Sequence, residues 1–309
     1  MDTTISTAPA VLSGVRTSGV SFWGVLRGEF FKVSRQISTW IMGALLLGLI
    51  VFPYVVSLIG PGPTLKGALK EQPLPLLYSF MGTNFLVLRA FSGFFLIVLT
   101  SRLIGMEYSG GTIRVVLARG IGRVQLVLAK LLTVGAIAAA ILVIGIALDA
   151  LLTVLDVGII AGNLDAFKSL NATFWSDTRL YIATIAISMV ATILMAAAVT
   201  VVGRSLAFGL SVALSWFPAD NIGTIFFILG YRVTGSTFWT LATGDLLGPN
   251  LNAMASGVLS PASSKAFQVH TFTPLVPVTG GHTILVTAIY CVIFAAVAIA
   301  LTAMRDVHE

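Results

Sequence analysis

The stretch at 124–155, VQLVLAKLLTVGAIAAAILVIGIALDALLTVL, holds only two charged residues, Lys130 and Asp149. A helix needs roughly 20 predominantly apolar residues to cross the hydrocarbon core of a bilayer. This segment is therefore predicted to be a membrane span with length to spare. Four other stretches pass the same test: 40–60, 81–101, 180–202 and 283–304. A sixth, 205–230, is apolar but interrupted by Pro218, Asp220 and Asn221. Such a break is tolerated where the freed backbone groups face protein or a water-filled cavity. It is predicted to be the fifth span in chain order, with a discontinuous or re-entrant outer end.

Composition agrees. The 309 residues are 57% hydrophobic and 10% charged, with a mean hydropathy of +1.00, whereas soluble proteins carry about 25% charged residues. This excludes an ordinary cytosolic enzyme, a disordered tail and a nucleic-acid reader. The single cysteine, Cys291, excludes an intrachain disulfide framework and a Cys-based zinc site. The expected fold is an all-α integral membrane protein, one transmembrane domain over 1–309 with six transmembrane helices.

The net charge of +6 reads as a topology signal, because cytoplasmic loops collect Lys and Arg. With both termini in the cytoplasm, the inner segments hold Arg16, Arg27, Lys32, Arg35, Arg102, Arg114, Arg119, Arg123, Lys130, Arg204 and Arg305. The outer segments hold Lys66, Lys70, Lys168, Arg179, Arg232 and Lys265, and Arg89 lies within the second span. The bias, in shorter inner loops, predicts a multi-pass protein with cytoplasmic termini. Residues 1–19 lack the continuous apolar core of a cleavable signal peptide and are expected to form a flexible N-terminus.

Two cytoplasmic features stand out. In 20–39, Phe22, Trp23, Leu26, Phe30, Val33 and Ile37 recur at helical spacing, with Arg27, Lys32 and Arg35 largely elsewhere. That pattern predicts an amphipathic helix in the membrane interface; the plainer alternative is the cytoplasmic start of the first span. Between spans two and three, Gly110 and Gly111 break the helix and Gly120 and Gly122 interrupt it again. Thr112 can cap a short helix from Ile113 to Ala118. A short helix held between Gly-marked turns suits docking in a partner's groove, and a solvated basic loop that only fixes orientation fits the same residues.

The segment Glu107, Gly111-Thr112-Ile113-Arg114, Leu117, Arg123 and Lys130 resembles the signature of ABC type-2 exporter permeases. There an E-x-x-x-G-T-x-R-x-x-L run, followed by an Arg and a downstream Lys, joins the second and third spans. Gly120 stands where many members carry Pro. The amphipathic lead-in, six spans and a larger final outer loop also resemble that family. The resemblance implies that the inner loop carries a coupling helix, with Glu107, Gly111, Thr112, Ile113, Arg114, Val116 and Leu117 as ATPase-coupling residues. It further implies a translocation path lined by spans two and five, for which Phe85, Arg89, Phe94, Phe208, Ser211 and Phe217 are the candidates.

No G-x-x-x-x-G-K-[ST] phosphate loop occurs, so by this route the chain is not itself an ATPase. The resemblance implies a separate ATP-binding subunit in two copies, holding the ATP and Mg, and a second permease copy or paired homologue in the cell membrane. No cofactor or metal is expected in this chain; His270, His282 and Asp245 are scattered over the last outer loop. Two rival functions were weighed. An intramembrane serine hydrolase would use Ser211, in Gly209-Leu210-Ser211, with His282, but the final glycine of a G-x-S-G motif is missing. An ion-coupled transporter would use buried ionisable groups, here Arg89, Asp149 and Asp220, for which structural or cavity-lining roles are expected.

Overall fold

The computed structural model describes residues 21–60, 62–267 and 272–304. The expected flexible segment 1–19, His270 and Arg305 lie outside the described residues. In chain order the helices are α1 (Phe22–Ser34), α2 (Ile37–Ile59), α3 (Gly62–Glu71), α4 (Pro73–Ser109), α5 (Thr112–Ala118) and α6 (Arg123–Ala161). A 3₁₀ turn, Asp165–Ser169, leads to α7 (Ala172–Gly203), α8 (Leu206–Ile222) and α9 (Thr224–Thr234). The segment after α9 forms α10 (Phe238–Ala242), α11 (Leu247–Val258) and α12 (Pro261–Ala266), and α13 (Gly280–Met304) completes the fold. No strand occurs among the described residues.

Five helices, α2, α4, α6, α7 and α13, are long and apolar enough to cross a membrane, and α8 with α9 passes the same test as a pair bent by 59°. Helices α4 and α6 have 37 and 39 residues. At 1.5 Å per residue they run to nearly 60 Å, about twice the hydrocarbon thickness. Their ends therefore project beyond the bilayer, and the short α5 is carried on those projections.

The bundle centres on α4, which packs against α7, α8, α6 and α2, while α13 packs on α7. Close approach depends on small residues, as is usual between membrane helices. At Gly82 an added Cβ would lie 2.2 Å from the Phe267 carbonyl oxygen, and at Gly93 it would lie 2.4 Å from the Phe217 ring. Local signals set the helix ends. Asn171 caps α7 by accepting from the Phe174 N–H at 2.8 Å, and Gly162, at φ 76°, ends α6 in the left-handed region that glycine adopts without strain.

The interruption in the fifth apolar stretch falls later than its sequence suggests. Pro218 is accommodated inside α8, and the bend comes at Gly223. The polar residues around it are spent on α11 instead. The Gly248 N–H donates to Asp220 Oδ2 at 2.6 Å, and Asn252 Nδ2 donates to the Asn221 carbonyl at 2.8 Å. Helix α11, read as loop from its Gly, Pro and Asn content, is buried from Leu247 to Ala255 against α13, α8 and α7.

Candidate functional site

Two glycines in the left-handed region, Gly111 at φ 64° and Gly120 at φ 83°, turn the chain sharply on either side of α5. A side chain with a Cβ would be strained at both. The seven-residue helix between them has two faces. Ile113 is buried, and the half-buried Val116 packs with Val25 of α1 and Leu126 and Ala129 of α6. Thr112, Arg114, Val115, Ala118 and Arg119 are exposed, and Leu117 is half-buried.

Next to it lies an ionic cluster in which Glu29, Glu107 and Lys130 are buried and Lys32 is exposed. Lys130 Nζ donates to Glu107 Oε1 at 2.7 Å, to Glu29 Oε2 at 2.9 Å and to the Leu103 carbonyl at 2.9 Å. An ammonium has three donors, and all three are used. Lys32 Nζ donates to the same Glu107 oxygen at 2.5 Å and lies 3.6 Å from Glu29 Oε1. Two cations meet two anions, so the cluster is neutral, and it joins α1 to the C-terminal end of α4 and the N-terminal end of α6. Burial depresses the Lys32 ammonium. The hydrogen bond and charge of Glu107, with those of Glu29, outweigh that and hold its pKa above the ordinary lysine value. A raised lysine pKa stabilises the fold fully below the unfolded value and is lost only as pH rises through the folded one. This contact therefore persists across physiological pH.

Among the coupling residues named from sequence, Glu107 thus turns inward and is buried, whereas Arg114 is exposed. Glu29, Lys32 and Lys130 complete the cluster. Lys130 was visible as part of the motif, but Glu29 carried no signal beyond being a carboxylate in an apolar helix.

The six residues named for the path are dispersed. Phe85 is fully buried and stacks edge-on against Tyr181 at 5.2 Å. Arg89 donates to the Leu251 carbonyl at 2.8 Å and to Asn252 Oδ1, so it meets α11 and not Asp149, which accepts from the Tyr54 hydroxyl. Phe94 and Phe217 face each other at 5.1 Å, linking α4 to α8. Phe208 and Ser211 are exposed, and Ser211 shares an open groove on α8 with Ser215, Trp216 and Asp220. His282 Nε2 is 2.9 Å from the Gly244 carbonyl, so Ser211 and His282 do not form a nucleophile–base pair. Among the described residues no group of three metal-binding side chains occurs.

Residues 25–219 match the family model described as ABC-2 family transporter protein. The chain belongs to the ABC-2 transporter family. The match runs from the first buried residue of α1 through the ionic cluster and α5 to the Pro218 turn of α8, so both features of the site fall inside it. No curated protein matched the sequence. As an ABC-2 permease, the chain is a multi-pass membrane subunit of an ABC transporter, a class in which the ATP-binding subunit is separate.

Proposed function

We propose that this ABC-2 permease is the membrane-spanning half of an ATP-driven exporter in the cell membrane. It has six spans, α8 and α9 together supplying the fifth, and both termini lie in the cytoplasm. Two permease copies work with two ATP-binding subunits that hold the ATP and Mg. The observation that carries the reading is α5 itself: a two-faced helix between left-handed glycines, anchored below by Ile113 and Val116 and open above at Arg114 and Val115. The open face docks on the ATP-binding subunit. Glu107 acts from beneath, because the cluster ties any displacement of α5 to α1, α4 and α6 together.

Helix α1 suits the membrane interface. Trp23 and Phe31 are 74% and 62% exposed, Arg27 and Arg35 are also exposed, and bulky apolar and basic residues together favour that position. The path runs between copies along α4 and α8, where Phe208 and Ser211 reach an open face.

Two measurements test this. In a Cys291→Ser background, cysteines at Arg119 and Lys168, both exposed, should label from opposite sides of the membrane. Equal labelling by an impermeant reagent in intact cells would refute the topology. The second replaces Arg114 with Glu, which reverses a charge on the outer face of α5 without touching the cluster. Association with the co-expressed ATP-binding subunit should weaken at least about tenfold, roughly 1.4 kcal/mol, with membrane insertion unchanged. Unaltered co-purification and ATPase stimulation would remove α5 from the docking surface.

A further inference from the structure

Helix α6 carries two acidic residues seven positions apart, Asp149 and Asp156, on the face turned to α2. Both are buried, at 3% and 4% exposure. Asp149 accepts from the Tyr54 hydroxyl and Asp156 from Ser57. Among the described residues neither has a lysine or arginine within ion-pair distance. Lys66 and Lys70, on the adjoining α3, are exposed. Ionisable groups inside membrane spans are costly and mark functional sites by default. Two carboxylates held only by hydroxyls lack the cation that would balance them.

A cavity of about 610 Å³ opens beside them, between α2 and α4. Asp156, Ser57 and Tyr54 are on its wall, and Phe52, Phe80 and Phe91 supply aromatic faces. Asn84 also lines it. That side chain is 6% exposed, and its enclosed Oδ1 has no hydrogen-bond partner. The wall therefore presents the Asp156 carboxylate among rings that attract cations. Volume and apolar lining suit an organic ligand. A hard metal ion would need six or more oxygens.

We propose that this cavity binds the ammonium group of a cationic amphiphile, its nitrogen at the Asp156 carboxylate and its apolar chain against Phe52, Phe80 and Phe91. The site lies within one chain, so it requires neither the ATP-binding subunit nor a permease dimer.

The test uses the full chain in phosphatidylcholine nanodiscs, with radiolabelled decylammonium as probe and decanol as its neutral counterpart. Decylammonium should bind saturably, and decanol at least tenfold more weakly. Asp156→Asn keeps an acceptor for Ser57 and should weaken decylammonium at least tenfold while leaving decanol unchanged. Asn84→Leu, which removes an enclosed oxygen, should leave decylammonium binding unchanged, and both variants should melt as the parent does in the absence of probe. Displacement by phosphatidylethanolamine but not by soluble alkylamines would assign the ammonium to a bilayer lipid. The reverse would assign it to a soluble amphiphile. Equal affinity for decylammonium and decanol, or unchanged binding in a well-folded Asp156→Asn protein, would overturn the site.

Discussion

Replacing Lys130 with Met should destabilise the protein by about 3–5 kcal/mol, the cost of stranding a buried charge by removing its partner. The lysine is 2% exposed and donates to both Glu29 and Glu107, at 2.9 and 2.7 Å. Without it Glu29 keeps only the 3.6 Å contact with Lys32, and the Leu103 carbonyl loses its extra donor. The loss should appear as a lower melting temperature in detergent and as faster proteolysis after Arg35, as α1 lifts from α6. The double change Lys130→Met with Glu29→Leu should recover most of the loss. It leaves Glu107 with Lys32 and one neutral apolar contact in place of a buried pair, and such replacements are often neutral or better. A Lys130→Met protein that melts like the parent would show that the cluster does not hold α1.

How much of this was legible beforehand differs by element. The apolar runs behind α2, α4, α6, α7 and α13 are long and nearly uncharged, so burial in lipid overrode every weaker local preference. The turns that bound α5 were also readable, since Gly111 and Gly120 demand backbone that other residues avoid, but the cap was not: Gly111 is the N-cap, Thr112 is already helical and no side chain caps the first turn. Helix α11 was not: Leu247-Gly248-Pro249-Asn250-Leu251-Asn252 is rich in turn formers, and only tertiary hydrogen bonds make it helical and buried. For the same reason Pro218 looked like the break when Gly223 is. The direction of Glu107 was equally hidden. Its partners are 23 and 75 residues away, and no local spacing encodes contacts of that range. The α3 helix and the length of α4 were concealed in what reads as an outer loop, where prolines can start helices as well as end them.

The second large effect is expected at Asn252, a residue that the sequence did not single out. Its Oδ1 accepts from Arg89, and its Nδ2 donates to the Asn221 carbonyl at 2.8 Å and the Phe272 carbonyl at 3.1 Å. One side chain thus joins α4, α11, the end of α8 and the segment before α13. Asn252→Leu fills similar space but leaves the Arg89 guanidinium with one acceptor, Leu251, and two carbonyls with none from this side chain. Each buried group left unsatisfied costs about 1–3 kcal/mol. Amide hydrogen exchange should accelerate across α11 and around Gly223, with protection in α6 little changed. Asn252→Asp separates the contributions: it restores an acceptor for Arg89 but not the two donated bonds, so it should fall between parent and Leu. Equal exchange in all three proteins would mean that α11 is held by its apolar face alone.

The clamp between α1 and the long helices also has a timing. Lys32 lies 75 residues before Glu107, and Glu29 lies 101 residues before Lys130. At synthesis rates of about 5–20 residues per second, the first helix waits roughly 5–20 s for its last partner to be made. In that interval α1 can be kept near the nascent bundle only by its apolar side chains, and Glu29 faces whatever water or headgroup is at hand. Closure of the clamp is then a checkpoint in biogenesis: it can occur only once the α6 segment has emerged and its lysine lies on the same side of the membrane as α1.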